Sequence, residues 1–200
     1  MAEEIPGFTT LTQEGAAAGP PTLSLRPAES PDEALLLRIF AESHCAEFEL
    51  LGLEPAALGG LVGMQYRARQ AQYSAAQPEA VEYLICGGDG SPVGSCWLDD
   101  TPGQLRVLDI AVLREHRRRG VARAVLSSLC EQAVAAGKPV RLSVWHQNVP
   151  ARELYRSLGF TAPAGSGPAG DPAEDGDLGN GYLELQFVPD SAPRLRAGAR

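Results

Sequence analysis

The stretch of this chain best equipped for chemistry is Arg117-Arg118-Arg119-Gly120-Val121-Ala122. Before it, the apolar run from Leu105 to Val112 reads as a buried strand. After it, Gly120 to Ala136 reads as a helix, with Ala122, Leu126, Leu129, Cys130 and Ala133 on one face at spacings of three and four. A glycine at such a junction lets the backbone pass close to a ligand, and the free N–H groups of the first helical turn point at whatever sits there. Strand, basic turn and helix together make an anion site, most naturally for phosphate. Taken alone, the turn has rivals. A dinucleotide fold wants Gly-x-Gly-x-x-Gly and an acid about 20 positions on; one of those glycines is present, and Lys138-Pro139 stand where the acid belongs. The Gly-Lys-Ser/Thr of a P-loop is absent. An arginine-rich turn that is merely solvated is the remaining reading.

A second stretch narrows the choice. Asn148-Val-Pro-Ala-Arg-Glu-Leu-Tyr155-Arg-Ser-Leu-Gly159-Phe160 begins on a good N-cap, carries Pro150 in its first turn, and ends on a glycine suited to the C′ position. It reads as a short helix with Tyr155 near its middle, preceded by a strand from Val140 to Trp145. In order and spacing, roughly residues 105 to 160 resemble the GCN5-related N-acetyltransferase (GNAT) superfamily.

The resemblance implies an acetyl-coenzyme A site. In that family an Arg/Gln-x-x-Gly-x-Gly/Ala turn holds the pyrophosphate, which maps here to Arg117, Arg118, Arg119, Gly120, Val121, Ala122 and Arg123. The thioester carbonyl is expected at backbone N–H groups of Ile110, Ala111 and Val112, with Val112 the leading choice. Asn148 is the expected pantetheine contact, a job compatible with capping its helix. Tyr155 is the candidate general acid: a phenol, pKa about 10, can protonate a departing thiolate whose thiol has a pKa of about 8.5. The implied fold is a single-domain α/β acyl-CoA N-acyltransferase fold, with a mixed, mostly antiparallel sheet and helices on both faces. The strands at 105–112 and 140–145 are its parallel, right-handed crossover pair, expected to splay apart so that donor and acceptor meet in the gap.

The base is less legible. Some relatives acting on protein N-termini carry a glutamate in the strand before the tyrosine helix; here that position is Ser143. Asp109, Glu47, Glu49 and His146 are alternatives, beside a proton path through water. A lysine-type amine costs about 4–5 kcal/mol to deprotonate at pH 7 and an α-amine about 1 kcal/mol, so the need for a base depends on the acceptor.

Composition sets the frame. Two hundred residues suit one domain with tails. A formal charge of −8 argues against general nucleic-acid binding, so a local basic turn points to one anionic ligand. Cys45, Cys86, Cys96 and Cys130 show no paired spacing and read as small buried hydrophobes in a reducing cytoplasm. No metal-ligand spacing is present. Two acids follow Met1 where a signal peptide would be basic, and no apolar run has the roughly 18 residues of a membrane span.

Along the chain, residues 1–20 read as a flexible lead, 21–188 as the N-acetyltransferase domain, 163–181 as a flexible insertion within it, and 189–200 as a disordered tail. Thr22–Arg26 reads as a first strand, Ser30 to about Ala46 and Pro55 to about Tyr73 as helices, Val81–Cys86 and Val93–Leu98 as a hairpin, and Tyr182–Phe187 as the closing strand.

The expected activity is transfer of an acetyl group from acetyl-CoA to a primary amine, directly, in a ternary complex without metal. The alternatives are a non-catalytic acyl-CoA-binding sensor or partner module, and an acyltransferase using a longer acyl group or a hydroxyl acceptor. The acceptor and the oligomeric state, a homodimer included, are not legible.

Overall fold

A computed structural model describes residues 22–44, 48, 52–163 and 181–189. The lead at 1–20, most of the 163–181 insertion, nearly all of the tail, and Cys45, Glu47 and Glu49 lie outside the described residues. The elements run β1 (Leu23–Pro27), α1 (Glu33–Ser43), α2 (Pro55–Ala76), β2 (Val81–Gly87), β3 (Pro92–Thr101), β4 (Gln104–Val112), α3 (Val121–Ala136), β5 (Val140–Trp145), α4 (Val149–Ser157) and β6 (Tyr182–Phe187), with 3-10 turns at Ser30–Asp32 and Arg114–His116. The six strands form one mixed sheet in sequence order. The pairs β1/β2, β2/β3 and β5/β6 are antiparallel and β4/β5 is parallel. That parallel pair is the one the α3 crossover requires.

The chain divides into two compact units, residues 1–100 with 108–125, and residues 101–107 with 126–200. In the first, α1 starts where Asp32 accepts the Glu29 N–H at 2.9 Å and a two-pronged contact from Arg26, also at 2.9 Å. Leu36, Ile39 and Phe40, at helical spacing, turn its apolar stripe onto Leu84, Cys86 and Ala111 of the sheet and Leu113 just beyond β4. The helix stops at Ser43, earlier than the sequence suggested. Both the Ser43 hydroxyl and the His44 N–H turn back to the Phe40 carbonyl there, giving the last turn side-chain and backbone partners. Pro55 opens α2, whose stripe Val62–Tyr66–Arg69–Tyr73 passes from apolar to polar as it descends.

In the second unit, Leu126, Leu129, Cys130 and Ala133 bury the face of α3 that periodicity indicated. The parallel register joins Leu105, Arg106 and Val107 to Val140, Arg141 and Leu142. β5 then pairs with β6 along its whole length, from Val140↔Phe187 to Trp145↔Tyr182. Gly159, at φ +89°, ends α4 in the left-handed conformation glycine tolerates best. Phe160 N–H then bonds Tyr155 O at 3.0 Å, and the Phe160 ring packs between Tyr155 and Phe187.

Cys86, Cys96 and Cys130 are free and buried, as expected for small apolar fillers. Burial raises all three thiols, Cys130 to about 12, so they stay protonated and unreactive.

Candidate functional site

The basic turn has a backbone that its sequence only half announces. Gly120 lies at φ +81°, as a junction glycine should, but Arg118 is left-handed as well, at φ 62°. It is the only non-glycine residue with positive φ among the described residues. A left-handed L-residue costs about 1–2 kcal/mol. Anion-binding concavities are built from successive backbone amides in turns that include left-handed residues. The first hydrogen bond of α3 runs from Ala124 N–H to Gly120 O at 2.9 Å, so the amides of Val121 and Ala122 precede the helix's own ladder. A Cβ built on Gly120 meets no protein atom within 4 Å. The surroundings therefore leave room above this residue, and its backbone angle, not crowding by the protein, is what calls for glycine. Arg118, Arg119 and Arg123 are exposed. A polyanion fits these features, with amides for its oxygens, positive charge around it and no protein atom over the glycine.

Arg117 behaves differently from its neighbours. Its Nε donates to Val112 O and its Nη2 to Glu42 O, both at 2.9 Å. Two donors of its fork are committed to carbonyls of the chain, contacts that the expected phosphate role did not include. The same helix end is tied to this segment twice more. Glu42 Oε2 accepts the Arg114 N–H at 2.8 Å, and Arg38 bridges Glu42 at 2.9 Å and Glu115 at 2.7 Å. Glu42 and Arg38 were not among the sequence candidates. Their spacing of four marks a helical ion pair, but nothing local marks a partner more than seventy residues on.

Ile110, Ala111 and Val112 end β4 as expected. Ala111 is buried and its carbonyl is closely approached by β3: a Cβ at Gly94 would collide with Ala111 O. Leu113 N–H bonds Val93 O at 3.0 Å just beyond. Gly94 thus lets the two strands close on each other at the backbone whose amides the thioester carbonyl was expected to use.

Asp109 is not a solitary carboxylate. Arg69 Nη1 holds its Oδ2 at 2.7 Å, with both side chains largely buried. The guanidinium carbon lies 4.5 Å from the Phe40 ring centroid and 5.7 and 5.9 Å from those of Tyr66 and Tyr73. Of the alternatives left open for Asp109, the arginine pair is the one formed. Nearby, Tyr66 donates to Glu82 Oε2 at 3.0 Å and Gln70 donates to the Tyr66 oxygen at 2.9 Å. Glu82 is buried, and burial raises its carboxyl above the usual range, partly offset by those donors and by Trp97. The segment Val81–Cys86 read as plain strand; a charged residue within an apolar run was the available signal.

In the second unit, Asn148 caps α4 as predicted, its Oδ1 accepting the Ala151 N–H at 3.2 Å. Tyr155 is buried on the inner side of α4 beside Phe160. His146 is exposed, with its Nδ1 2.9 Å from Gly181 O. Ser143 does not stand alone: Arg106 Nη2 reaches its hydroxyl at 3.4 Å. Glu47 and Glu49 lie outside the described residues. No helix among the described residues is long and apolar enough to cross a membrane.

A family model described as acetyltransferase (GNAT) family matches residues 42–160, more than half of the chain. Solved structures similar to this one include PaiA N-acetyltransferase from Thermoplasma acidophilum in complex with coenzyme A, at 13% identity and TM-score 0.57, covering 83% of this chain and 98% of that one. Spermidine N-acetyltransferase from Vibrio cholerae, in complex with CoA and spermine, is 14% identical with TM-score 0.54, covering 84% and 96%. An acetyltransferase from Thermus thermophilus is 22% identical with TM-score 0.54, covering 83% and 96%. At these identities the likeness is one of fold. A search of curated proteins finds no match to the chain.

Proposed function

The chain belongs to the acetyltransferase (GNAT) family, and from that premise we propose that it moves an acetyl group from acetyl-coenzyme A to a primary amine, directly, in a ternary complex. The observation that carries this reading is the turn at 117–122. Two left-handed residues, Arg118 and Gly120, stand immediately before a helix whose leading amides precede its own ladder, in a family whose members include coenzyme A complexes.

On this reading the amides from Arg118 to Arg123 hold the donor's pyrophosphate, and the exposed arginines add charge that fixed dipoles alone do not supply. The Arg117 guanidinium works indirectly, by holding the approach to the turn against Val112 and Glu42. The backbone N–H groups of Ile110 to Val112 stabilise the oxyanion that forms when the amine nitrogen attacks the thioester carbon; fixed donors do this without reorganising. Tyr155 gives its phenolic proton to the sulfur as the carbon–sulfur bond breaks, and the proton lost by the attacking nitrogen restores the phenol. Asn148 keeps its side-chain N–H groups for pantetheine, because the cap uses its oxygen. Asp109 is assigned no base role, since its carboxylate is bound to Arg69.

Free-thiol release from acetyl-coenzyme A, followed across a panel of amines, tests the reading. Amine-dependent release is expected. Tight coenzyme A binding with no release from any amine would favour a binding module over an enzyme.

A further inference from the structure

One face of β5 and β6 carries side chains to which the proposed mechanism assigns no task. Ser143 lies opposite Glu184, and Trp145 opposite Tyr182. Side chains two apart on a strand share a face, so these four stand together, the two pairs about 7 Å apart along the strands. Arg141, opposite Gln186, extends the same face in the other direction. Arg106 reaches it from β4, in register with Arg141. All of these residues belong to the second unit. The face is therefore graded, with two arginines at one end, two rings at the other, and a carboxylate with a hydroxyl between them.

The carboxylate is loosely held. Arg106 Nη1 lies 3.4 Å from Glu184 Oε1, and Arg106 Nη2 lies 3.4 Å from Ser143 Oγ. A well-made guanidinium–carboxylate contact is about 2.7–2.9 Å, as Arg69 makes to Asp109 at 2.7 Å in this chain. Yet the Glu184 side chain is only 22% exposed, so water solvates it poorly. A carboxylate that is neither well paired nor well hydrated favours a better cation.

The rings are built in place. Trp145 and Tyr182 are 40% and 42% exposed, large apolar surface for the outer face of a sheet. Their centroids stand 5.3 Å apart, edge to face. Gly181, at φ +83°, lets the Trp145 ring lie against the backbone: a Cβ there would run into the indole. Aromatic faces beside a carboxylate attract cations, and they cover the carbon atoms next to a charged nitrogen.

We propose that Glu184, Ser143, Trp145 and Tyr182 form the acceptor subsite, which takes a primary ammonium group carried on an apolar carbon chain. The group docks as an ammonium on the Glu184 carboxylate with the Ser143 hydroxyl as a second acceptor, passes one proton to water before its nitrogen attacks as the neutral amine, and lays its adjoining carbons against the two rings. Arg106 keeps Glu184 oriented when no amine is bound and competes with the amine for it. This rests on the reading of the chain as an amine acetyltransferase.

The chain has two tryptophans. The Trp97→Phe protein leaves Trp145 as the sole indole reporter, and its fold can be checked by circular dichroism. Titrated with n-butylamine and 1,4-diaminobutane, it should show saturable fluorescence change, with none for butan-1-ol. In that background Glu184→Gln should weaken the amines at least tenfold. Arg106→Gln should tighten them severalfold, a rise that a purely structural ion pair would not produce. Equal responses to amine and alcohol, no response to either amine, or unchanged amine affinity in Glu184→Gln would overturn the subsite. Coenzyme A calorimetry on the wild-type protein separates the two ideas. Coenzyme A binding without an amine response defeats only the subsite; an amine response without coenzyme A binding defeats the proposed function instead.

Discussion

Arg117 donates from Nε to the carbonyl of Val112 and from Nη2 to that of Glu42, 2.9 Å in each case. One side chain thereby ties the end of β4 and the end of α1 to the residue that opens the basic turn. A lysine has a single donor head and cannot span both carbonyls. Arg117→Lys should therefore loosen the turn, raising the KM for acetyl-coenzyme A by about tenfold, the equivalent of one or two lost hydrogen bonds, with kcat little changed. Steady-state kinetics at saturating amine would show the split; a fall in kcat alone would contradict the positioning role.

Gly120 separates backbone from ligand effects. Gly120→Ala meets open space but must hold a left-handed angle, so it should cost about 1–2 kcal/mol of stability. Gly120→Glu adds bulk and a negative charge at the proposed phosphate site and should abolish coenzyme A binding. Calorimetry showing equal affinity for Gly120→Glu and wild type would remove the phosphate assignment.

Tyr155→Phe keeps the buried ring against Phe160 and removes only the hydroxyl. Turnover is expected to fall by about 100-fold or more, with coenzyme A affinity nearly unchanged. Unaltered turnover would return Tyr155 to a packing role.

Glu82 sets a pH dependence of stability. Burial raises its carboxyl in the folded chain above the unfolded value, so the folded state binds the proton more tightly. The stability it contributes is fully present below the unfolded pKa and is lost as pH rises through the raised folded one. Glu82→Gln cannot ionise. Its melting temperature relative to wild type should climb as pH is raised upward from about 4, measured by thermal scans at constant ionic strength. A difference independent of pH would show that Glu82 is not the titrating group.

Gly94 tests the close approach of β3 and β4. The obstructing atom is a backbone oxygen, Ala111 O, which cannot swing aside as a side chain would. Gly94→Ala should destabilise by about 1–3 kcal/mol and displace the strand end that carries Val112. Chemical denaturation measures the first effect. A neutral result would mean the strands part without cost.

Much of this molecule was legible from the residues in order. The apolar stripe of α3, the Asn148 cap, the Gly159 stop and the alternation of β6 are local features, set by spacings of two, three or four residues, and each stands where it was expected. Gly120 was legible as a junction glycine that lets a ligand approach the backbone, though its left-handed angle was not part of that reading. The left-handed angle at Arg118 was not: arginine has no preference for it, and only the surrounding turn imposes it.

The partners of the charged residues were decided by tertiary structure. Asp109 could have served as a base or a cap until Arg69, forty residues earlier, met it across α2 and β4. Arg117 donates to the Glu42 carbonyl, seventy-five residues away, a partner that no local pattern announced. Ser143 marked the place of a missing carboxylate until the β5–β6 register set Glu184 opposite it. The sequence by itself determined which segments become helix, strand and basic turn, because backbone preference and hydrophobic periodicity act over a few residues. Which ions meet was decided only by folding, because a charge's partner is whichever group the packed sheet and helices bring within about 4 Å, and no local pattern encodes that distance.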